Sequence, residues 1–203
     1  MSKTGMLFVY SGPSGVGKGT ILVPYLKEHE NAVLSVSATT RAPRPGETDG
    51  VEYHFLSHEQ FEELIENKGL LEYATYSGNY YGTPRAEVEK RLLEGDDVFL
   101  EIEVQGAMKI KKTFPDAVFI FVLPPSYEIL KNRLTGRGTE PLEVVKVRLD
   151  TAREEMRHAM DYDYIILNEN VEKAREQLSC IVTAAKCQTK YLKKRIEEVS
   201  EER

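Results

Sequence analysis

Residues 12–20 constrain the fold more than any other part of this 203-residue chain. The apolar residues 6–10 before them predict a buried strand, and residues 19–29 show helical periodicity. The loop between strand and helix is Gly12, Pro13, Ser14, Gly15, Val16, Gly17, Lys18, Gly19 and Thr20. Its glycines let the backbone wrap an anion with N–H groups pointing inward, and the helix adds its positive end. Strand, loop and helix together therefore predict a phosphate-binding loop.

Lys18 stands where such a loop places the lysine that neutralises the outer phosphates. The next position usually holds Ser or Thr, whose hydroxyl binds magnesium, but here it is Gly19, and Thr20 comes one residue later. We therefore expect Mg²⁺ to be held mainly by phosphate oxygens and water, with Thr20 as the candidate protein ligand.

Three further apolar runs, at residues 98–102, 118–123 and 164–167, predict buried strands separated by helical stretches. Strands that alternate with helices predict a parallel sheet covered by helices on both faces, an α/β fold of the P-loop NTPase class. The intervening residues 37–83 are rich in Thr, Ser, Tyr, Gly and Pro, and predict a small α+β insertion with one helix capped by Ser57. Residues 124–157 predict a helical segment that carries several arginines.

Charge and composition exclude several classes of function. The chain has 27 Lys or Arg against 33 Asp or Glu, a net charge of −6, which disfavours binding to nucleic acid or an anionic membrane. Its longest apolar run, residues 117–123, is far shorter than the ~20 residues that span a bilayer. Cys180 and Cys187 are predicted to pack on one helical stripe. We therefore expect a reduced, cytoplasmic protein that is a monomer or small homo-oligomer.

Six further strings cover nearly the whole chain in order. They are SVSATTRAPRPGE at residues 35–47, GVEY at 50–53, YSGNYYGT at 76–83, LEIEVQG at 100–106, LPPS at 123–126 and GRGTE at 136–140. With the loop, they closely resemble the guanylate kinases. The resemblance implies phosphorylation of GMP to GDP by ATP with bound Mg²⁺. It also implies a core domain of residues 1–36, 84–123 and 158–203, a GMP-binding insertion of residues 37–83 and a closing lid of residues 124–157.

An acceptor phosphate needs forked cationic donors, and Arg41 and Arg44 lie three residues apart, so both can converge on one phosphate. The alternative for this pair is a solvated basic turn. By resemblance, Tyr53 and Tyr81 add phenolic hydrogen bonds to the same phosphate, although tyrosines in short strands also serve as packing residues.

Guanine presents N1–H beside an exocyclic amine, and a carboxylate can accept from both, whereas adenine lacks this pair. By resemblance that carboxylate is Glu72, with Ser37 and Thr83 donating toward O6 and Gly82 beside them. The residues alone give Thr83 a competing role as the cap of a helix that begins at Pro84.

Two glutamates end the second apolar run. By resemblance, Glu101 and Glu103 contact the water shell of the metal or the ribose and base of the acceptor. The family usually carries aspartate at position 103, so the role of Glu103 stays open, and either glutamate can instead orient Lys18 or an arginine.

The lid arginines complete the predicted site. Arginines delivered by closure stabilise the charge of a transferred phosphoryl group, which favours Arg137 and then Arg148 as catalytic residues beside Lys18. By resemblance, Arg133 stacks on adenine and Asn168 lines the adenine side. A helix surface is the alternative for the arginines, and a simple turn is the alternative for Asn168.

Two other functions fit the loop. A P-loop kinase of the same scaffold can phosphorylate a ribose bisphosphate, but such a substrate has no use for a carboxylate that reads guanine, as Glu72 is predicted to do. A non-catalytic guanylate-kinase-like domain can bind protein partners, but Lys18, Arg41, Arg44, Arg137 and Arg148 are all present here.

Overall fold

Strand β1 occupies the middle of the main sheet in the computed structural model, which describes residues 5–76, 78–135 and 142–201. The elements follow in the order β1 (Leu7–Ser11), α1 (Lys18–Glu28), β2 (Ala32–Leu34), β3 (Ala38–Thr39), β4 (His54–Phe55), α2 (His58–Glu66), β5 (Leu70–Tyr76), β6 (Asn79–Pro84), α3 (Arg85–Glu94), β7 (Asp97–Glu101), α4 (Val104–Thr113), β8 (Val118–Leu123), α5 (Tyr127–Thr135), α6 (Leu142–Arg157), β9 (Tyr164–Leu167), α7 (Val171–Lys186) and α8 (Thr189–Glu201).

Within the described ranges, the main sheet has the strand order β2-β7-β1-β8-β9, and every neighbouring pair is parallel. This confirms the predicted α/β class and the four predicted strands, two of them shifted by one residue. Strand β2 was not predicted, because three residues are too few to show a strand pattern.

The side chains of β1 alternate between the two faces of the main sheet, and both faces are buried. Phe8 and Tyr10 are fully buried in a cluster that includes Leu22 of α1 and Leu178 of α7. Val9 belongs to a second cluster with residues of α3 and α4. Helices therefore cover the sheet on both sides, as a parallel sheet requires.

The parallel register places several strand ends at one edge of the sheet. Tyr10 pairs with Glu101 of β7, Ser11 pairs with Phe121 of β8, and Leu123 pairs with Leu167 of β9. The loop after β1, the carboxylate that ends β7 and the residue after β9 therefore meet at this edge, where open α/β sheets bind their ligands.

A second sheet lies between β2 and α3 in the chain, with the strand order β4-β3-β6-β5. Its core is a separate cluster of Ala38, Phe61 and Leu70. The single helix predicted here is α2, and its capping box is confirmed: Gln60 N–H donates to Ser57 Oγ (3.2 Å), and Ser57 N–H donates to Gln60 Oε1 (2.9 Å).

Two local predictions were wrong. Thr83 is not a helix cap, because it lies inside β6 and α3 begins at Arg85 after Pro84. Cys180 and Cys187 do not pack, since both are exposed free thiols.

No helix in the described part of the chain is both long and apolar enough to cross a bilayer.

Replacing Ser57 with Ala removes the acceptor at the start of α2. We expect the free energy of unfolding to fall by about 1 kcal/mol, as measured by urea denaturation. The matched control is Ser200→Ala, which changes an exposed serine in the last turn of α8. An equal loss in both variants would show that the capping box does not stabilise this helix.

Candidate functional site

Two adjoining cavities, of about 420 and 290 Å³, form one cleft at the carboxyl edge of the main sheet. Lys18 lines the first cavity, and Glu72 lines the second. Both cavities share the lining residues Ser37, Tyr53, Glu101, Ile102 and Glu103. The cleft therefore extends from the phosphate-binding loop of the main sheet to the second sheet.

The conformation of residues 12–20 depends on glycine at two points. Gly17 caps α1 with a φ of 95°, in the left-handed region that favours glycine. At Gly12, a Cβ would lie 2.5 Å from the carbonyl oxygen of Val122, so a side chain there would collide with β8. These glycines keep the loop tight against the sheet.

Lys18 lies folded over this loop, and its Nζ donates to the carbonyl oxygen of Gly12 (2.7 Å). Burial lowers the pKa of Lys18, while the charges of Glu101, Glu155 and Glu103 act in the opposite direction. The structure thus places the ammonium group of Lys18 on the carbonyl oxygens of Gly12 and Pro13, within the electrostatic influence of three carboxylates.

The protein offers few direct ligands for a metal beside this loop. Thr20 is exposed, and its hydroxyl donates to the carbonyl oxygen of Gly17 (2.6 Å). Gly19 has open space where a side chain would be. Within the described ranges, no three His, Cys, Asp or Glu residues are grouped so that they can hold a metal ion. A metal here must draw most of its ligands from a bound molecule and water.

Arg133 and Asn168 both contact the loop from the side of β9 and α5. Asn168 Nδ2 donates to the carbonyl oxygen of Val16 (2.7 Å), and Arg133 donates to the same oxygen (3.1 Å). Arg133 also donates to the carbonyl oxygen of Asn168 (3.3 Å). Both side chains support the loop in this structure, and their predicted contacts with adenine stay predictions.

Helix α6 reaches the same loop through two side chains. Arg148 donates to Ser14 Oγ (2.8 Å), and the Glu155 carboxylate lies near the Ser14 backbone and Lys18. Burial raises the pKa of Glu155. Sequence reasoning missed Glu155, although its spacing of seven residues from Arg148 places both on one helix face. Arg137, the favoured catalytic arginine, lies outside the described residues.

The second sheet brings three predicted phosphate ligands together. The guanidinium of Arg41 lies 5.4 Å from the ring centre of Tyr53, and the rings of Tyr53 and Tyr81 lie edge to face at 6.0 Å. Arg44 belongs to the same turn, but its side chain is exposed.

Glu47 is a missed residue of this cluster. Both of its carboxylate oxygens accept hydrogen bonds from Arg41 at 3.0 Å, and one also accepts the Arg44 N–H at 2.7 Å. The hydrogen bonds from Arg41 are the main reason that the pKa of Glu47 is lowered. The Glu47 carboxylate therefore occupies the two terminal N–H groups of Arg41 that could bind a phosphate. The resemblance had indicated residues 35–47 but gave Glu47 no role.

Glu72 is a buried carboxylate at the far end of the cleft, with 8% of the residue exposed. Thr83 Oγ1 donates to Glu72 Oε1 at 2.8 Å. Burial raises the pKa of Glu72, and the Thr83 hydrogen bond and the charge of Lys109 partly oppose this effect. In this structure the single hydroxyl proton of Thr83 is directed to Glu72, and the predicted contact of Thr83 with O6 of a base stays a prediction.

The remaining predicted residues line the cleft between these two ends. Ser37 and Glu103 line both cavities, Gly82 is buried beside Glu72, and Glu103 caps α4 as an exposed residue. Glu101 ends β7, and burial raises its pKa while Lys18 lowers it. The arrangement suits a ligand with phosphate at one end and a ring bearing N–H donors at the other.

Comparisons with known proteins give the cleft its context. A family model described as guanylate kinase matches residues 4–185. The guanylate kinase of Bacillus anthracis is 52% identical over 202 residues, which cover 98% of each chain. The guanylate kinase of Streptococcus pneumoniae strain R6 is 53% identical over 185 residues, 91% of this chain and 89% of that one. A crystal structure of guanylate kinase from Anaplasma phagocytophilum has a TM-score of 0.74 and 36% identity, and covers 93% of this chain and 89% of that one.

Proposed function

The chain belongs to the guanylate kinase family, and from this premise we propose that its cleft transfers a phosphoryl group from ATP to GMP, giving ADP and GDP. The protein is thus a nucleoside monophosphate kinase. The buried carboxylate of Glu72 is the observation that supports GMP as the acceptor. It faces a cavity that is continuous with the one that Lys18 lines. A carboxylate in this position can accept both N–H donors of guanine, and adenine would leave it unpaired.

We propose that ATP occupies the end of the cleft at residues 12–20. The backbone N–H groups and the positive end of α1 would cradle its phosphates, and Lys18 would turn from the Gly12 carbonyl toward the outer phosphates. Arg133 and Asn168 support the loop at Val16, next to the position proposed for the nucleoside of ATP.

GMP is proposed to bind between the two sheets. Its phosphate would take the face of Arg41 that Glu47 holds in this structure, with Arg44, Tyr53 and Tyr81 around it. A phosphate dianion can replace a carboxylate on a guanidinium fork because both are bidentate acceptors. The base would be bound by a second group of residues: Ser37, Glu72, Gly82, Thr83, Glu101 and Glu103.

The proposed phosphoryl transfer depends on stabilising negative charge and on positioning the two substrates. The phosphate of GMP is already an anionic nucleophile, so the reaction needs neither a covalent intermediate nor a dedicated base. Lys18 and Arg148 would approach the transferred group from the loop and from α6. In this structure Lys18 donates to the Gly12 carbonyl oxygen and Arg148 donates to Ser14 Oγ of the same loop. Arg137 is proposed as a third cation, although it lies outside the described residues. Residues 37–83 are proposed as the GMP-binding domain and residues 124–157 as the lid.

Mg²⁺ is proposed to arrive with ATP. When bound, it would neutralise negative charge on the phosphates during transfer. The residues present fit this role: Glu101 is a half-buried carboxylate beside Lys18, and the Thr20 hydroxyl keeps its lone pairs. Glu101 would bind through water, and Gly19 supplies no ligand. The cytoplasm, where ATP and GMP are available, is the proposed location, and a monomer or small homo-oligomer is the proposed state.

The proposed function is tested by a coupled assay of ATP consumption with GMP, AMP, UMP, CMP and ribose phosphates as separate acceptors. GMP should be used far better than every other acceptor, by at least a hundredfold in kcat/KM, because it alone presents the paired donors. Preferential use of a ribose phosphate, or no consumption with any acceptor, would refute the proposal.

We predict that Lys18→Ala lowers kcat by at least a hundredfold, because the cation over the transferred phosphates is lost. Steady-state kinetics measure the loss, and circular dichroism checks the fold. Lys27→Ala is the matched control, since Lys27 is an exposed lysine at the other end of α1. Turnover near that of the control would remove Lys18 from the mechanism.

We predict that Glu72→Gln raises KM for GMP at least tenfold and leaves KM for ATP nearly unchanged, since the amide replaces one acceptor with a donor. The control is Glu62→Gln, on the exposed side of α2. Equal effects on both substrates would mean that Glu72 does not read the base.

A further inference from the structure

Gly106 lies on the wall of the cavity that Glu72 lines, at the third position of α4. It is buried, and a Cβ built on it would lie 2.8 Å from Oε2 of Glu72 and 3.1 Å from its Cδ. Real Cβ atoms essentially never lie within 3.0 Å of such a neighbouring atom. The missing side chain at position 106 therefore leaves the space that one carboxylate oxygen of Glu72 fills.

The other carboxylate oxygen of Glu72 is fixed from the opposite direction. Thr83 Oγ1 donates to Oε1 at 2.8 Å from β6, while Gly106 lies against Oε2 on α4. Only 8% of Glu72 is exposed, so protein encloses most of the residue, and the open space beside its carboxylate is the cavity itself. A hydrogen bond and a backbone surface together set the position of this carboxylate.

Helix formation does not explain a glycine at this position. Gly106 is in the first turn of a ten-residue helix, and it has no positive φ, so its backbone is one that alanine adopts readily. Among the common residues, only proline has a lower helix propensity than glycine. The unfavourable residue is thus explained by the close approach of Glu72.

We propose that Gly106 is the positioning residue for the base-reading carboxylate, and that it thereby sets the preference for guanine. This inference rests on the proposed function. Two parallel hydrogen bonds to N1–H and the exocyclic amine require both oxygens at the right depth in the cavity. Because the collision involves the end of a side chain, a methyl group at position 106 displaces the carboxylate of Glu72 and leaves the helix in place.

The test compares Gly106→Ala with the unsubstituted chain and with Gln105→Ala. Gln105 is an exposed neighbour on the same helix turn, and its replacement leaves the cavity intact. We expect Gly106→Ala to raise KM for GMP at least tenfold, with KM for ATP and the thermal midpoint maintained. The preference for GMP over IMP should fall severalfold, because IMP lacks the exocyclic amine and has only one of the two bonds to lose.

A second variant separates this role from simple damage to the fold. Glu72→Asp shortens the side chain by one methylene and draws the carboxylate away from α4. In that background, adding Gly106→Ala should change KM for GMP by less than threefold, since the two groups no longer touch. Equal effects of Gly106→Ala with Glu72 and with Asp at position 72 would overturn the proposal.

The outcomes distinguish this inference from the function on which it rests. An unsubstituted chain that fails to phosphorylate GMP overturns both. If that chain is active, then an unchanged KM for GMP in Gly106→Ala, a matching rise in KM for ATP, or a lowered thermal midpoint overturns the role of Gly106 alone.

Discussion

The parallel pairing of β1 with β7 and β8 is the constraint on which the rest of the structure depends. Because the three strands run in the same direction, the loop that holds Lys18 meets Glu101 at one edge of the sheet. Ser11 Oγ donates to the carbonyl oxygen of Ile102 (2.6 Å) and joins the two strand ends directly. The second sheet completes the cleft by packing against two helices of the main domain. Lys109 of α4 donates to the carbonyl oxygen of Tyr73 on β5, next to Glu72, and Glu87 of α3 is hydrogen-bonded to His54 of β4 (2.9 Å).

Local patterns predicted the parts of the molecule whose structure is decided locally. Glycines at fixed spacing after an apolar run indicated the loop of residues 12–20, and Ser57 with Gln60 indicated the start of α2. Thr83 shows where local evidence fails. Thr followed by Pro is a typical helix start, but pairing of β6 with β5 extends the strand through Pro84, and Thr83 bonds to Glu72 instead. A contact between two strands thus overrides a helix-cap signal. No sequence pattern within a few residues can reveal such a contact.

Apart from Glu47, which lies six residues from Arg41, the parts of the site that the sequence did not predict are contacts between distant segments. Gly106 meets Glu72 across a separation of 34 residues, and Glu155 lies near Ser14 across a separation of 141 residues. The charge of residues 37–83 shows why a phosphate there needs cations at defined positions. Residues 37–83 contain three Lys or Arg against eight Asp or Glu. A phosphate is therefore not drawn to this segment by its net charge. It must be bound by cations that are aimed individually, and Arg41 is kept in position by Glu47.

The central claim is that Glu72 is a buried carboxylate whose ionised form reads guanine. The most direct measurement follows the side-chain carboxyl signal of Glu72 by NMR during a pH titration of ¹³C-glutamate-labelled protein, assigned by comparison with Glu72→Gln. Without nucleotide, the pKa of Glu72 should lie above its ordinary value because of burial. GMP should lower this pKa, since its N–H donors stabilise the ionised carboxylate, and AMP should leave it unchanged. A pKa at the ordinary value, or an equal response to GMP and AMP, would contradict the account.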